Sequence, residues 1–89
     1  MRPVYTVDCR KMTDKKTAHD ELARALQLPE YYGRNLDALY DCLMDFPECT
    51  IVLEGIEALE ELGPYGEYIL DVFQDVARER EDLILEKER

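Results

Sequence analysis

Thr50-Ile51-Val52-Leu53 is the longest nearly continuous apolar stretch of the chain, set between Pro47 and Gly55. A short, nearly continuous apolar run suits a buried strand of a parallel sheet. Upstream, Val4-Tyr5-Thr6-Val7 between Pro3 and Asp8 reads as a second strand, and downstream Leu83-Ile84-Leu85 reads as a third. Helical patterns fill the intervals. Thr17 and Asp20 resemble an N-terminal capping box. Behind it Ala18, Leu22, Ala25 and Leu26 predict a first helix of about ten residues, stopped at Leu28-Pro29. Pro29 to Gly33 reads as a loop, and Asn35 as the cap of a second helix through Leu43 or Met44, with Leu36, Leu39 and Leu43 on one face. Glu57 to Leu62 predicts a short helix closed by Gly63-Pro64. Tyr65, Ile69, Val72, Phe73 and Val76 predict a longer amphipathic one. Helices alternating with three strands imply parallel pairing. The expected fold is α/β: one small domain over residues 1–89, a three-stranded parallel sheet packed with about four helices.

Composition narrows the function. The chain has 89 residues and a net charge of -10, too short to build two cores and too acidic to favour phosphate backbones or anionic lipid. The charge is uneven: Ala25 to Ala77 holds twelve acids and one base, Arg34, so that stretch carries -11 and the ends together +1. Cys9, Cys42 and Cys49 fit neither a CxxC metal pattern nor a disulfide framework, as expected of reduced thiols in a cytoplasmic protein. No apolar signal region follows Met1, and Ile51-Val52-Leu53 is far below the ~20 residues that span a bilayer.

Enzyme signatures are sparse. There is no serine, and His19 is the single histidine, so a Ser-His-Asp constellation is excluded. A Cys42–His19 pair has no local support, and His19 is expected exposed or half-buried on the first helix. The four glycines form neither GxGxxG nor a P-loop.

The carboxylates of the second helix are more informative. Asp37, Asp41 and Asp45 are spaced i, i+4, i+8, along the face away from Leu36, Leu39 and Leu43. Asp37 lies in the first turn, where the helix dipole favours an anion. Asp41 is mid-helix, where aspartate is a poor helix former. Both its i±4 neighbours are like-charged, each pair costing ~0.2–0.5 kcal/mol. With no base at i±3 or i±4, Asp41 is expected to await a cation from a partner. Tyr31 and Tyr32 precede this helix, Tyr40 borders its acidic face and Phe46 follows it. Such aromatics are rigid contact area at interfaces, unless some simply cover the core edge. Gly33 is expected to supply a turn with positive φ. Asp75, two residues after Phe73, should point away from the buried stripe of the last long helix.

The segment LPEYYGRNLDALYDCL, residues 28–43, closely resembles the signature of the barstar family, intracellular inhibitors of barnase-type ribonucleases. Pro29, Tyr31-Tyr32-Gly33, Asn35 to Leu39 and Asp41-Cys42-Leu43 fall in register without a gap. The resemblance extends more weakly through Ile51-Val52-Leu53-Glu54 to Val72-Phe73, and back to His19 and Leu22. It implies that Asp41 occupies a phosphate position in a nuclease active site, that Asp37 pairs with an arginine there, and that Tyr31 packs on the catalytic histidine. It further implies polar contacts from the Gly33 backbone and the Asn35 side chain, and a contact from Asp75. Tyr40 and Phe46 stand where the best-known member has tryptophans, Asp75 where it has glutamate and Arg34 where it has an acid. The rim therefore differs while the central acids are kept.

The expected function is inhibition, without cofactor or catalysis, of a basic extracellular-type ribonuclease bound 1:1, with neither nucleic acid nor membrane as a direct partner. One alternative is a module of the same fold that docks a different basic protein, such as another toxin. Another is a metal site on Asp37, Asp41 and Asp45, but that spacing spreads the carboxylates over ~12 Å of helix, too far for one ion unaided.

Overall fold

The apolar run lies on the central strand of the sheet. The computed structural model describes residues 2–89. Strand β2, Cys49–Glu54, sits between β1, Val4–Asp8, and β3, Leu83–Lys87, and both pairings are parallel. Ile51 is flanked in register by Tyr5 and Leu85, and Thr50 by Val4 and Ile84. The two rows face opposite ways, because strand side chains alternate. Ile51 is fully buried, whereas Val4 and Ile84 are exposed. The α/β fold and three-stranded parallel sheet are as expected.

Three α-helices fill the crossovers: α1, Lys15–Leu26; α2, Leu36–Met44; and α3, Pro64–Glu79. The fourth expected helix is a 3₁₀ segment, Ile56–Leu62, and a further 3₁₀ turn, Cys9–Lys11, follows β1. The core joins Leu22 and Leu26 of α1, Leu39 and Leu43 of α2, and Ile69, Phe73 and Val76 of α3 to Val7, Ile51 and Leu53 of the sheet. No helix among the described residues is long and apolar enough to cross a membrane.

Two boundaries differ from the expected ones by more than one residue. The capping box of α1 is Asp14 with Thr17, one turn before the predicted Thr17–Asp20 pair. Asp14 Oδ1 accepts from Thr17 N at 2.8 Å and Thr17 Oγ1 accepts from Asp14 N at 3.0 Å. Two overlapping boxes exist in the sequence; the earlier one forms, and Lys15 and Lys16 become an exposed first turn that leaves no trace in the apolar pattern. Strand β3 runs two residues further than predicted, to Lys87, because it continues to pair with Leu53 of β2. Elsewhere Pro64 opens α3 at its first position, where a missing N–H costs nothing.

Glu21 is a buried acid that the apolar pattern concealed. It is 3% exposed and accepts from Asp8 N at 2.8 Å, while Arg24 closes over it at 2.6 Å. Burial acts to raise its carboxyl, but Arg24 and the Asp8 N–H outweigh burial and hold it below the usual carboxylate range. The pair ties α1 to the end of β1.

Gly66, buried in the first turn of α3, sets how closely that helix approaches the Ile56–Leu62 segment. A Cβ there would lie 2.2 Å from the Leu59 carbonyl oxygen, a backbone atom that cannot rotate aside. Gly66→Ala should therefore destabilise the fold by ~1–3 kcal/mol, as overpacking does. Urea denaturation measures this, and an unchanged midpoint would show that the two segments have room to part.

Candidate partner-binding surface

The surface begins at the loop between α1 and α2. Tyr32 N donates to Pro29 O at 3.0 Å, closing a turn that drives the Tyr32 ring inward, where the residue is 6% exposed. Its hydroxyl meets His19 Nδ1 at 2.7 Å. With Tyr32 anchored, Tyr31 projects outward and is 88% exposed. The two adjacent tyrosines thus divide into an anchor and an exposed aromatic plate.

The expectation for Gly33 is corrected. Positive φ falls on the next residue, Arg34, at 56°, and Gly33 is not among the residues with positive φ. Gly33 instead supplies room: a Cβ on it would lie 3.2 Å from Ala38 Cβ. Arg34 is held in its unusual conformation by its own side chain, which pairs with Asp20 and donates to Lys16 O at 3.2 Å. The single base of the acidic stretch is therefore tied to α1. The Asp20 carboxyl is held below its usual range by Arg34 first and Lys16 second.

Asn35 caps α2 as expected, its Oδ1 accepting from Ala38 N at 2.7 Å and its Nδ2 donating to Gly33 O at 3.3 Å. Asp37, Asp41 and Asp45 are all exposed, opposite buried Leu39 and Leu43. Among the described residues, none of the three carboxylates has an ion-pair or hydrogen-bond partner, while eight other acids are ion-paired (Asp8, Asp20, Glu21, Glu48, Glu54, Glu57, Asp75 and Asp82) and Asp14 and Glu79 are hydrogen-bonded. The three unpartnered aspartates form a row on one face of the helix that follows the Tyr31 loop.

The remaining candidates sit at the margin. Tyr40 is half-buried and its hydroxyl donates to Glu79 of α3, which, with partial burial, raises the phenol above its usual range. Glu79 escaped the sequence reading; its signal was its position one turn after Asp75. Asp75 pairs with Arg78 on its own helix, so its charge is already partly answered. Phe46 is half-buried and meets Tyr5 of β1 edge-on, with centroids 5.0 Å apart and planes at 64°. Tyr32 belongs to the core itself, and Tyr40 and Phe46 pack against its edge. At the N-terminal end of α2, a groove lined by Lys15, Arg34, Asn35, Leu36, Asp37 and Tyr65 places two bases next to Asp37.

His19 is 2% exposed, against the expectation of an exposed or half-buried residue. It follows Ala18 and precedes Leu22 on the buried side of α1, and two tyrosine hydroxyls satisfy its ring in place of water. A Cys42–His19 pair does not form, since both ring nitrogens are engaged. Burial first, then Asp41 and Asp45, push the Cys42 thiol up, away from the reactive thiolate. Among the described residues no three His, Cys, Asp or Glu side chains are grouped so as to hold a metal ion.

Comparison with known proteins agrees with the sequence resemblance. Residues 2–86 match the family model described as Barstar (barnase inhibitor). A protein of Bacillus subtilis (strain 168) named "Putative ribonuclease inhibitor YrdF" is 41% identical over 80 residues, covering 85% of this chain and 87% of that one.

The row of unpartnered aspartates should cost the free protein stability. Asp41→Ala removes two like-charge i, i+4 pairs and a poor helix former, so unfolding free energy should rise by ~0.5–1 kcal/mol at low salt, and by less at high salt. Guanidinium would mask the charge term, so urea denaturation at two ionic strengths is the measurement. Asn35→Ala should lose ~1 kcal/mol through the cap.

Proposed function

This chain belongs to the barstar family, a family of ribonuclease inhibitors, and from that premise we propose that its α2 face and preceding loop block the active site of a basic, barnase-like ribonuclease in a 1:1 complex. The observation that carries this reading is the unpartnered Asp37–Asp41–Asp45 row on the helix that follows the exposed Tyr31, whose loop is anchored through Tyr32.

A ribonuclease active site is a basic cleft that binds phosphate. Asp41, central in the row, offers a carboxylate at the end of a short side chain on a rigid helix, and enters that cleft as a phosphate mimic. Asp37 meets an arginine of the enzyme, and Tyr31 stacks on the aromatic or imidazole group at the mouth. The Gly33 backbone and the free Asn35 Nδ2 hydrogen add directional contacts, while Tyr40, Phe46 and Asp75 form the rim. Little is reordered on docking, because α2 and Tyr32 are already fixed by the core, and preorganisation of this kind favours affinity. Opposite charge speeds encounter, which suits a protein that must capture a toxic enzyme inside the cytoplasm of the cell that makes it. No cofactor and no catalytic step are needed.

A second reading, docking of another basic protein by the same face, draws on two observations: Asp75 is already paired with Arg78, and Tyr40 is committed to Glu79. A rim altered in this way changes which basic surface fits. Residual activity of a panel of basic microbial ribonucleases mixed with the protein separates the two readings: inhibition of a member favours the first, and inertness toward all favours the second.

Asp41→Ala should weaken binding to an inhibited ribonuclease by ~2 kcal/mol or more, about 30-fold, as truncation of a central hot spot does. Unchanged affinity at moderate salt would refute the phosphate-mimic role. The association rate of the wild type should fall steeply between low and physiological ionic strength, where screening shortens to ~8 Å. Stopped-flow mixing reads it, and a salt-independent rate would rule out steering.

A further inference from the structure

His19 is buried between Ala18 and Leu22 on the core side of α1, and inhibition as proposed makes no use of it. Both of its ring nitrogens are nonetheless bonded, Nδ1 to the Tyr32 hydroxyl and Nε2 to the Tyr65 hydroxyl, each at 2.7 Å. The three side chains come from three separate places: α1, the loop before α2, and the first turn of α3. Tyr32 lies between Tyr31 and Gly33, so whatever holds Tyr32 also holds the exposed aromatic plate and the backbone that leads into Asn35.

We propose that His19 and Tyr65 are positioning residues for partner binding: the Tyr32–His19–Tyr65 chain holds the Tyr31–Asn35 loop in its docking conformation while the His19 ring is neutral, and releases it when the ring is protonated. The proposal rests on the inhibitor reading given above.

Proton accounting explains the dependence. A neutral imidazole has one N–H and one bare nitrogen. One tyrosine oxygen accepts from the N–H, and the other tyrosine donates its O–H to the bare nitrogen, so every polar atom of the chain has a partner. Adding a proton turns both nitrogens into donors. With Tyr32 donating to Nδ1 and Tyr65 accepting from Nε2, protonation forces the Tyr32 hydroxyl, on a residue 6% exposed, to turn its hydrogen away, and that hydroxyl has no other hydrogen-bond partner among the described residues. An orphaned buried donor is costly. The positive charge also arises in a site that faces Arg34.

The surrounding charges act consistently. Burial first and Arg34 second hold the His19 ring below its ordinary value of 6.5, with Asp20 pulling the other way. Asp20 is itself engaged by Arg34 and Lys16. From α1, Lys15 sits over the Tyr65 ring, 4.8 Å from its centroid. From α2, Cys42 faces Tyr32, whose hydroxyl burial pushes well above the usual phenol range. Because the folded ring takes a proton less readily than the unfolded one, its contribution is complete above pH 6.5 and is lost as pH falls below that value toward the folded pKa.

The test has one arm without nuclease and one with it. In the free protein, NMR from pH 8 to pH 5 should show the Tyr32 amide, bonded to Pro29 O, losing exchange protection, and the Tyr31, Gly33 and Arg34 amide signals shifting, with the midpoint of the His19 ring signals. In Tyr65→Phe, which deletes one hydroxyl and keeps the ring, that protection should be reduced already at pH 8; in His19→Gln the loop should no longer respond across this range. Loop amides indifferent to the His19 titration would overturn the proposal. With a barnase-type ribonuclease as probe, Tyr65→Phe should bind about 2- to 10-fold more weakly at pH 8, the worth of one hydrogen bond. The affinity ratio of wild type to His19→Gln should fall between pH 7.5 and pH 5.5, since titrations of the enzyme are common to both. A pH-independent ratio, or full affinity in Tyr65→Phe, would also overturn it. Failure of the wild type to inhibit any ribonuclease would refute the inhibitor reading, and with it the role in binding, while the nuclease-free arm still decides the coupling.

Discussion

Two parallel strands cannot be joined by a tight turn, so each of the two pairings made by β2 obliges the chain to cross over the sheet. The buried run at Thr50–Leu53 makes that obligation unavoidable, because a strand so apolar needs a neighbour on each side and helices across its inner face. The crossover from β1 to β2 contains α1, the Pro29–Gly33 loop and α2. It places Leu39 and Leu43 against the core and, by helical geometry, turns Asp37, Asp41 and Asp45 to the outside. The acidic face follows from the way the sheet is covered.

That arrangement joins two opposed demands. Three like charges in two turns of helix weaken α2, and among the described residues none of them is ion-paired. The loop before the helix is correspondingly well secured: Asn35 caps α2, Arg34 is bound to α1, and Tyr32 is sunk beside His19. Local repulsion is thus confined to a segment held from three sides, and the carboxylates stay exposed without unravelling the helix that presents them.

Much of this was legible residue by residue. The Asn35 cap, the inward leucines of α2 and the phase of Ile69, Phe73 and Val76 depend on spacing of 3.6 residues, which any helix must obey. Asp41 stood out because the penalty at its position is local and can be counted along the sequence. Other features depend on atoms distant in the chain. Glu21 carries no signal in the apolar pattern, and its burial depends on Asp8 N and Arg24. Gly33 looked like the natural site of positive φ, yet a tether from Arg34 to Asp20 shifted that strain by one residue. The capping box of α1 forms one turn earlier than its apolar pattern indicates, because two overlapping pairs exist and the exposed turn at Lys15 and Lys16 adds nothing to that pattern.

By itself the sequence determined the α/β class, the parallel sheet, the family and the acidic helix face, since each rests on short-range periodicity or on a contiguous motif. Tertiary structure alone decided which polar groups would be consumed inside the protein and which left for a partner. His19 meets Tyr65 across 46 residues, Tyr40 meets Glu79 across 39, and Arg34 meets Asp20 across 14. Charge and hydrogen-bonding capacity are present in the residue itself, but whether they are satisfied depends on what the fold brings within about 3 Å of them.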